Sequence, residues 1–169
     1  MFNPQYFIKL SKELLEYEAH YREALIRTII SRAYYSSFLS AREELKNQLK
    51  NTALEVLYEE ISEEPEIHQA VYDILKTLDP VNADLLGKLR KKRNQADYNL
   101  QIPKSLKEAE DCIMDAEMSQ EQLSSIVQKI SPEKILEIEE KIRPIVRSVL
   151  ERKTKTSRQG TKPPSTPYI

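Results

Sequence analysis

The chain has 169 residues, of which 40% are hydrophobic and 31% are charged, and its formal net charge is −1. This length suits one domain with its own core, and a glycine count of two argues against Rossmann and P-loop nucleotide-binding folds. The single cysteine excludes an intramolecular disulfide and favours a reducing, cytoplasmic location, and no apolar run is long enough for a membrane helix.

Apolar residues recur with helical spacing along most of the chain, and no strand pattern is present, so we predict an all-α fold. We expect a helical body over residues 1–130, a C-terminal helical extension over 131–152 and a flexible basic tail over 153–169. Pro144 should kink or split the extension. The helices are predicted at residues 4–17, 20–49, 54–61, 66–78, 82–98, 104–130 and 131–152.

Charge is distributed unevenly along the chain. Residues 152–169 hold five cations and no acid, so the remaining residues carry a net charge of −6. The basic tail could add nonspecific RNA affinity with a steep dependence on salt. An acidic run over residues 55–66 is expected to be a solvated face, and neither a metal site nor a cofactor is predicted.

The segment LRKKRNQADYNL, residues 89–100, places a charge where the helical pattern calls for an apolar side chain. A guanidinium keeps its charge at ordinary pH, so a buried position requires acids, carbonyls or a ligand anion around it. Asp97, one turn later, and the adjacent Asn94 are candidate partners for Arg93. The predicted buried stripe that contains Arg93 consists of Leu85, Leu89, Ala96 and Leu100.

Four polar residues of this segment share one helical strip, and the strip has two interpretations. It could grip a phosphate through its arginines while the amide and carboxylate orient the ligand. It could equally be a self-satisfied ion-pair network inside a bundle. The strip consists of Arg90, Arg93, Asn94 and Asp97.

A second motif, SRAYYSSF over residues 31–38, places Arg32 and Tyr35 one turn apart on the helix predicted at 20–49. If these side chains lie beside Arg93, the two helices form a polar pocket. Tyrosines in such a position are more often core residues with a hydroxyl at the surface.

The segments SRAYYSSFLSAREEL (31–45) and LRKKRNQADYNL (89–100), with EIHQAV (66–71) between them, resemble the HEPN domain family. The likeness is to its small prokaryotic branch, with an R-x-YY-x-x-F helix and a later R-N-x-A-D-Y, and it covers roughly residues 4–130. The resemblance implies an up-and-down bundle of four to five helices that pairs as a homodimer, with a polar cleft at the interface. Many HEPN proteins are metal-independent ribonucleases, often toxins paired with a nucleotidyltransferase-type antitoxin or parts of defence and RNA-processing systems.

Active HEPN nucleases carry R-x4–6-H, in which arginine holds the scissile phosphate and histidine assists the attack. In this chain Asp97 and Tyr98 stand where that histidine would lie, and no histidine follows His68. A tyrosine hydroxyl is a poor general base at neutral pH, and Asp97 is expected to pair with an arginine. For His68 we expect a capping or interface role.

We therefore expect a HEPN-like dimeric module of toxin–antitoxin, defence or RNA-associated type that binds RNA or a nucleotide phosphate without cleaving it. One alternative is a metal-independent ribonuclease in which Arg93 acts with Asp97 or Tyr98 in place of histidine. Another is a structural partner protein whose polar strip only fixes the dimer register. A nucleotidyltransferase-type partner is possible, and no membrane association is expected. The predicted binding residues are Arg32, Tyr35, Arg90, Arg93, Asn94, Asp97 and Tyr98.

Overall fold

A computed structural model describes residues 2–18, 20–123, 126 and 130–159. Within these ranges the chain forms seven helices and no strand, which confirms the all-α prediction. The helices form a bundle with an additional helix at the C-terminal end. Their bounds are α1 (Gln5–Glu16), α2 (Arg22–Leu49), α3 (Leu54–Ile61), α4 (Ile67–Leu78), α5 (Pro80–Tyr98), α6 (Leu106–Leu123) and α7 (Pro132–Gln159).

The 28-residue helix α2 lies at the centre of the bundle and packs against α1, α5 and α6. Its core-facing side chains are almost completely shielded from solvent, and burying one large apolar side chain stabilises a fold by about 1.5–3 kcal/mol. The side chains of the 31–38 motif are thereby held at a fixed position beside α5. The most deeply buried apolar residues of α2 include Ile29, Ala33, Tyr34, Ala41 and Leu45.

Helix α5 begins at Pro80, two residues earlier than the sequence pattern predicts. The Asp79 carboxylate accepts a hydrogen bond from the backbone N–H of Asn82 at 3.2 Å, and Pro80 occupies the first helical position. Both features are typical of a helix N-terminus. The Asp79-Pro80 pair therefore ends α4 and also starts α5, which fixes the direction of the helix that carries the 89–100 motif.

A capping box sets the start of α6. The backbone N–H of Glu108 donates to the Ser105 hydroxyl at 3.2 Å, and the backbone N–H of Ser105 donates to the Glu108 carboxylate at 3.1 Å. The helix predicted over 104–130 thus begins at Leu106, and its described part ends at Leu123. The rest of that predicted helix lies largely outside the described residues, which omit 124–125 and 127–129.

Helix α7 is longer than expected, since it continues beyond Arg152 to Gln159, and Pro144 does not split it. Arg152 pairs with Glu64 at 2.7 Å and with Glu66, while Lys153 pairs with Glu64 at 2.9 Å. These ion pairs hold the extension against the start of α4. Two cations of the basic segment, Arg152 and Lys153, are therefore paired with glutamates of the acidic run. Residues 160–169 of the predicted flexible tail lie outside the described residues.

The apolar face of α7 packs against α3 and α4. The side chains of Ile138, Ile142, Val146 and Val149 belong to the same apolar cluster as the buried residues of α2. None of the described helices combines the length and the apolar character that crossing a membrane requires.

Candidate nucleic-acid interface

Arg93 is held by side chains from two helices. On α5 its Nε lies 2.7 Å from Oδ2 of Asp97, and its Nη1 donates to Oδ1 of Asn94 at 3.0 Å. Across the helix interface, its Nη2 donates to the Tyr35 hydroxyl of α2 at 2.6 Å. The structure thus brings together the two motifs, and Arg93 has its charge compensated within the protein.

Asp97 also connects the two helices. Its Oδ2 also accepts a hydrogen bond from the Ser31 hydroxyl of α2 at 3.4 Å. Because this oxygen faces both Arg93 and Ser31, the carboxylate orients the arginine and ties the C-terminal turn of α5 to α2.

The predicted apolar stripe around Arg93 is confirmed at Leu85, Leu89 and Ala96, which are buried. The prediction is wrong at Leu100, which is 75% exposed because α5 ends two residues earlier, at Tyr98. Beyond Tyr98 the chain leaves the helix, and backbone carbonyls of this segment accept hydrogen bonds from a side chain of α2.

That side chain is Arg27, which the sequence pattern did not single out. Its guanidinium donates to the carbonyl oxygens of Ala96 at 2.7 Å, Asn99 at 3.3 Å and Ile102 at 2.8 Å. The last carbonyls of a helix lack partners within the helix and favour a cation nearby. The one available signal is that Arg27 lies one turn before Ser31 on the face of α2 that contacts α5.

The outer face of α5 lines an open groove of about 520 Å³, here called the α5 groove. A Cβ atom added at Gly87 would lie 3.2 Å from Cε2 of Tyr72, so the absence of a side chain at Gly87 leaves room at this end of the groove. Tyr98, at the other end, is 73% exposed. The α5 groove is lined by Gly87, Arg90, Lys91, Asn94, Gln95, Tyr98 and Asn99.

The cations of α5 fall into two groups. Lys88 lies 3.9 Å from Asp115, and Lys92 lies 2.9 Å from Glu108, both acids of α6. The Lys92 hydrogen bond, with help from the Ser105 backbone and the charge of Lys104, lowers the pKa of Glu108 to about 2. These two lysines, like Arg93, are therefore neutralised.

Arg90 and Lys91 form the second group. The Nη1 of Arg90 donates to the neutral amide oxygen of Gln69 at 3.2 Å. In the part of the chain that the structure describes, neither Arg90 nor Lys91 has a carboxylate within ion-pair distance. The two uncompensated cations of α5 thus lie together in the α5 groove.

Guanidinium groups and aromatic rings alternate from α5 across α2 to α1. The Cζ atom of Arg93 lies 5.3 Å from the ring of Tyr98 and 5.1 Å from that of Tyr35. On the other side, Cζ of Arg32 lies 5.3 Å from the Tyr35 ring and 5.0 Å from that of Phe7. Such contacts stabilise cations over aromatic faces. We call Tyr98, Arg93, Tyr35, Arg32 and Phe7 the Arg–aromatic row.

His68 lies beside this row rather than at a helix cap. Its ring stacks on Phe38 with 3.9 Å between centroids, and its Nδ1 lies 2.6 Å from the Tyr34 hydroxyl. Burial, and the nearby charges of Arg90, Arg93 and Arg42, lower the pKa of His68 to about 4. Burial raises the pKa of Tyr34 to about 12, so at neutral pH a protonated Tyr34 hydroxyl is hydrogen-bonded to a neutral imidazole.

The described residues contain no group of three or more His, Cys, Asp or Glu side chains placed to hold a metal ion. What the α5 groove offers a ligand is cationic, amide and aromatic: Arg90 and Lys91, the Asn94 amide and the exposed ring of Tyr98. This set suits an anionic ligand that also carries flat rings.

No family model and no solved structure matches the chain. The uncharacterized protein MJ0628 of Methanocaldococcus jannaschii is 37% identical to it over 165 residues, covering 88% of this chain and 98% of that protein. Because that name states no activity, the chemistry of the site must come from the residues of this chain.

Proposed function

We propose that this chain, which belongs to the family of MJ0628 of Methanocaldococcus jannaschii, binds the phosphate backbone of RNA in its α5 groove without cleaving it. One observation carries the proposal. Arg90 and Lys91 face this groove without a carboxylate partner among the described residues, whereas the other cations of α5 are paired.

The chemistry of the α5 groove fits a nucleic-acid strand. Two cations contribute the electrostatic, salt-dependent part of phosphate binding, and the Asn94 side chain supplies an amide at the same surface. The exposed ring of Tyr98 offers a face for a base, and base–aromatic stacking contributes about 1–3 kcal/mol per base.

Arg93 acts in this proposal as a positioning residue. Its contacts with Asp97 and Tyr35 fix its guanidinium, which in turn supports the ring of Tyr98 at 5.3 Å. Removing Arg93 should therefore disturb the α5 groove indirectly, through the orientation of Tyr98.

The same contacts support binding without cleavage. The Oδ2 atom of Asp97 is already engaged by Arg93 and Ser31. The neutral His68 ring is already hydrogen-bonded to the Tyr34 hydroxyl. The alternative, a ribonuclease using Asp97 or Tyr98, would require the carboxylate to leave its arginine or a tyrosine hydroxyl to act as a base at neutral pH.

The proposal extends to assembly and setting. We place two copies of the chain in a HEPN-like homodimer with the α5 grooves at the interface, because Leu100 and Ile102, which follow the groove residue Tyr98 in the chain, are exposed apolar side chains. The setting would be the cytoplasm, in a toxin–antitoxin, defence or RNA-associated system with a nucleotidyltransferase-type partner.

The test is binding of fluorescently labelled single-stranded RNA, followed by anisotropy at several salt concentrations. Arg90→Gln and Lys91→Gln should each weaken binding and reduce the slope of log K against log salt by about 1. Lys107→Gln is the matched control, because this exposed lysine of α6 is paired with Asp111.

Unchanged affinity in both groove variants would refute the proposal. RNA cleavage by metal-free protein, lost in Arg93→Ala, would favour the ribonuclease alternative. If the groove variants bind normally and Arg93→Met alters only dimerisation, the structural-partner alternative holds.

A further inference from the structure

The Arg–aromatic row continues beyond Phe7 onto the exposed side of α1. The ring of Phe2 lies 5.0 Å from that of Phe7, and the ring of Tyr6 lies 6.3 Å from that of Phe2. The Lys9 ammonium stands 5.5 Å over Tyr6. Phe2 and Tyr6 are each 55% exposed, so this end presents two aromatic faces and a cation to solvent.

Arg32 is the cation next to Phe7 at this end of the Arg–aromatic row. Its Cζ lies 5.0 Å from the Phe7 ring and 5.3 Å from the Tyr35 ring, and its Nε, like that of Arg93, is buried without a hydrogen-bond partner. Among the described residues no carboxylate forms an ion pair with Arg32. Arg93 also lies beside aromatic rings, but it has Asp97 as a counter-ion, which Arg32 lacks among the described residues.

A buried guanidinium N–H without an acceptor costs free energy, and an anion bound at the same group offsets part of that cost. Aromatic faces on both sides of a cationic centre are the arrangement by which proteins bind single strands, whose bases are free to stack while their phosphates contact the cation. A duplex hides its base faces and would not use exposed rings in this way.

We propose that Arg32, Phe2 and Tyr6 form a second subsite for single-stranded RNA, in which Arg32 contacts a phosphate and the two rings stack bases. The subsite rests on the proposed function, because the strand that reaches it also occupies the α5 groove. Tyr35, held between Arg93 and Arg32, joins the two subsites. The bound strand thus crosses α5, α2 and α1.

The experiment measures the affinity of the full chain for oligouridylates of increasing length, from about 4 to about 12 nucleotides. Wild-type affinity should rise with length until both subsites are filled. Arg32→Gln and Phe2→Ala/Tyr6→Ala should bind the shortest oligomer as wild type does, and should bind the longest one at least about fivefold more weakly.

Two variants serve as matched controls. Tyr21→Ala removes an exposed tyrosine at the start of α2, outside the Arg–aromatic row, and Arg147→Gln removes an exposed arginine of α7. Both should keep the length dependence of the wild type. Thermal unfolding of each variant identifies any that does not fold, and the exposed Phe2 and Tyr6 pair tests the subsite even if Arg32→Gln does not fold.

Equal affinity of wild type and the Phe2→Ala/Tyr6→Ala variant for the longest oligomer overturns the second subsite and leaves the α5 groove standing. A change in sedimentation of that variant with unchanged RNA affinity also overturns it, because the rings would then contact a second copy of the chain. If wild-type protein binds no oligomer of any length, both the subsite and the proposed function fail.

Discussion

The Nε atom of Arg93 lies 2.7 Å from Oδ2 of Asp97, one helical turn later on α5, and the two side chains are 17% and 25% exposed. Removing one partner of a partly shielded pair leaves the other charge uncompensated. We therefore expect Arg93→Met to lower the free energy of unfolding by about 1–2 kcal/mol, measured by urea denaturation.

A double-mutant cycle isolates the pair itself. Asp97→Asn alone should destabilise the protein, and the Arg93→Met/Asp97→Asn double variant should cost less than the sum of the two single changes. A coupling energy near zero would mean that Arg93 is held by Tyr35 and the aromatic rings rather than by the carboxylate.

Arg27 anchors the end of α5, because three carbonyl oxygens that follow the buried part of that helix accept hydrogen bonds from its guanidinium. Arg27→Met should lower the free energy of unfolding by about 1–2 kcal/mol and speed amide hydrogen exchange over residues 99–103. Arg22→Met is the control, since Arg22 is exposed and donates to one carbonyl, that of Tyr17. Equal effects of the two changes would contradict the anchoring role.

The lowered pKa of His68 makes stability depend on pH in a defined window. Its pKa is about 4 in the folded chain against an ordinary value of 6.5, so between these values the unfolded chain binds more protons. Stability should therefore fall as pH drops from about 6.5 towards 4. Urea denaturation at pH 7 and pH 5 measures the loss.

Two variants assign that loss to one side chain. His68→Gln keeps an acceptor for Tyr34 and should show a smaller loss between the two pH values, whereas His20→Gln should behave as wild type. A His68 ring that titrates near 6.5 by NMR would show that the imidazole is not shielded beside Tyr34 and Phe38.

Gly87 tests the α5 groove without any change of charge. Gly87→Ala places a Cβ 3.2 Å from Cε2 of Tyr72, a half-buried ring that must shift by a few tenths of an ångström. This contact should cancel part of the gain of about 0.5–1 kcal/mol that alanine brings inside a helix. RNA affinity should be nearly unchanged in Gly87→Ala and weaker in Gly87→Leu, whose side chain fills the groove, and equal affinities would argue against binding there.

Much of the fold follows from local sequence. The 3.6-residue period predicts the positions of the helices, because each buries one apolar face, and the two motifs predict that Tyr35 and Arg93 lie together. The start of α5 at Pro80 could also have been predicted from the sequence, because Asp79 followed by Pro80 is typical of a helix start as well as of a helix end.

The division of charge on α5 could not be predicted from α5. Lys92 is neutralised by Glu108, and Arg90 is left beside neutral Gln69, so the partners come from α6 and α4. The same holds for α7, whose extension to Gln159 is tied to Glu64 and Glu66. Contacts between distant segments depend on how the helices pack, and the periodicity of the sequence does not specify that packing.

The position of α7 has a consequence for synthesis of the protein. The apolar face of α7 packs on α3 and α4, which the ribosome makes about 70 residues earlier. Until α7 has emerged, the sides of α3 and α4 that it covers stay open to water and to other nascent chains. A chain stalled on the ribosome before residue 132 would therefore expose apolar surface of α3 and α4 and be prone to aggregate.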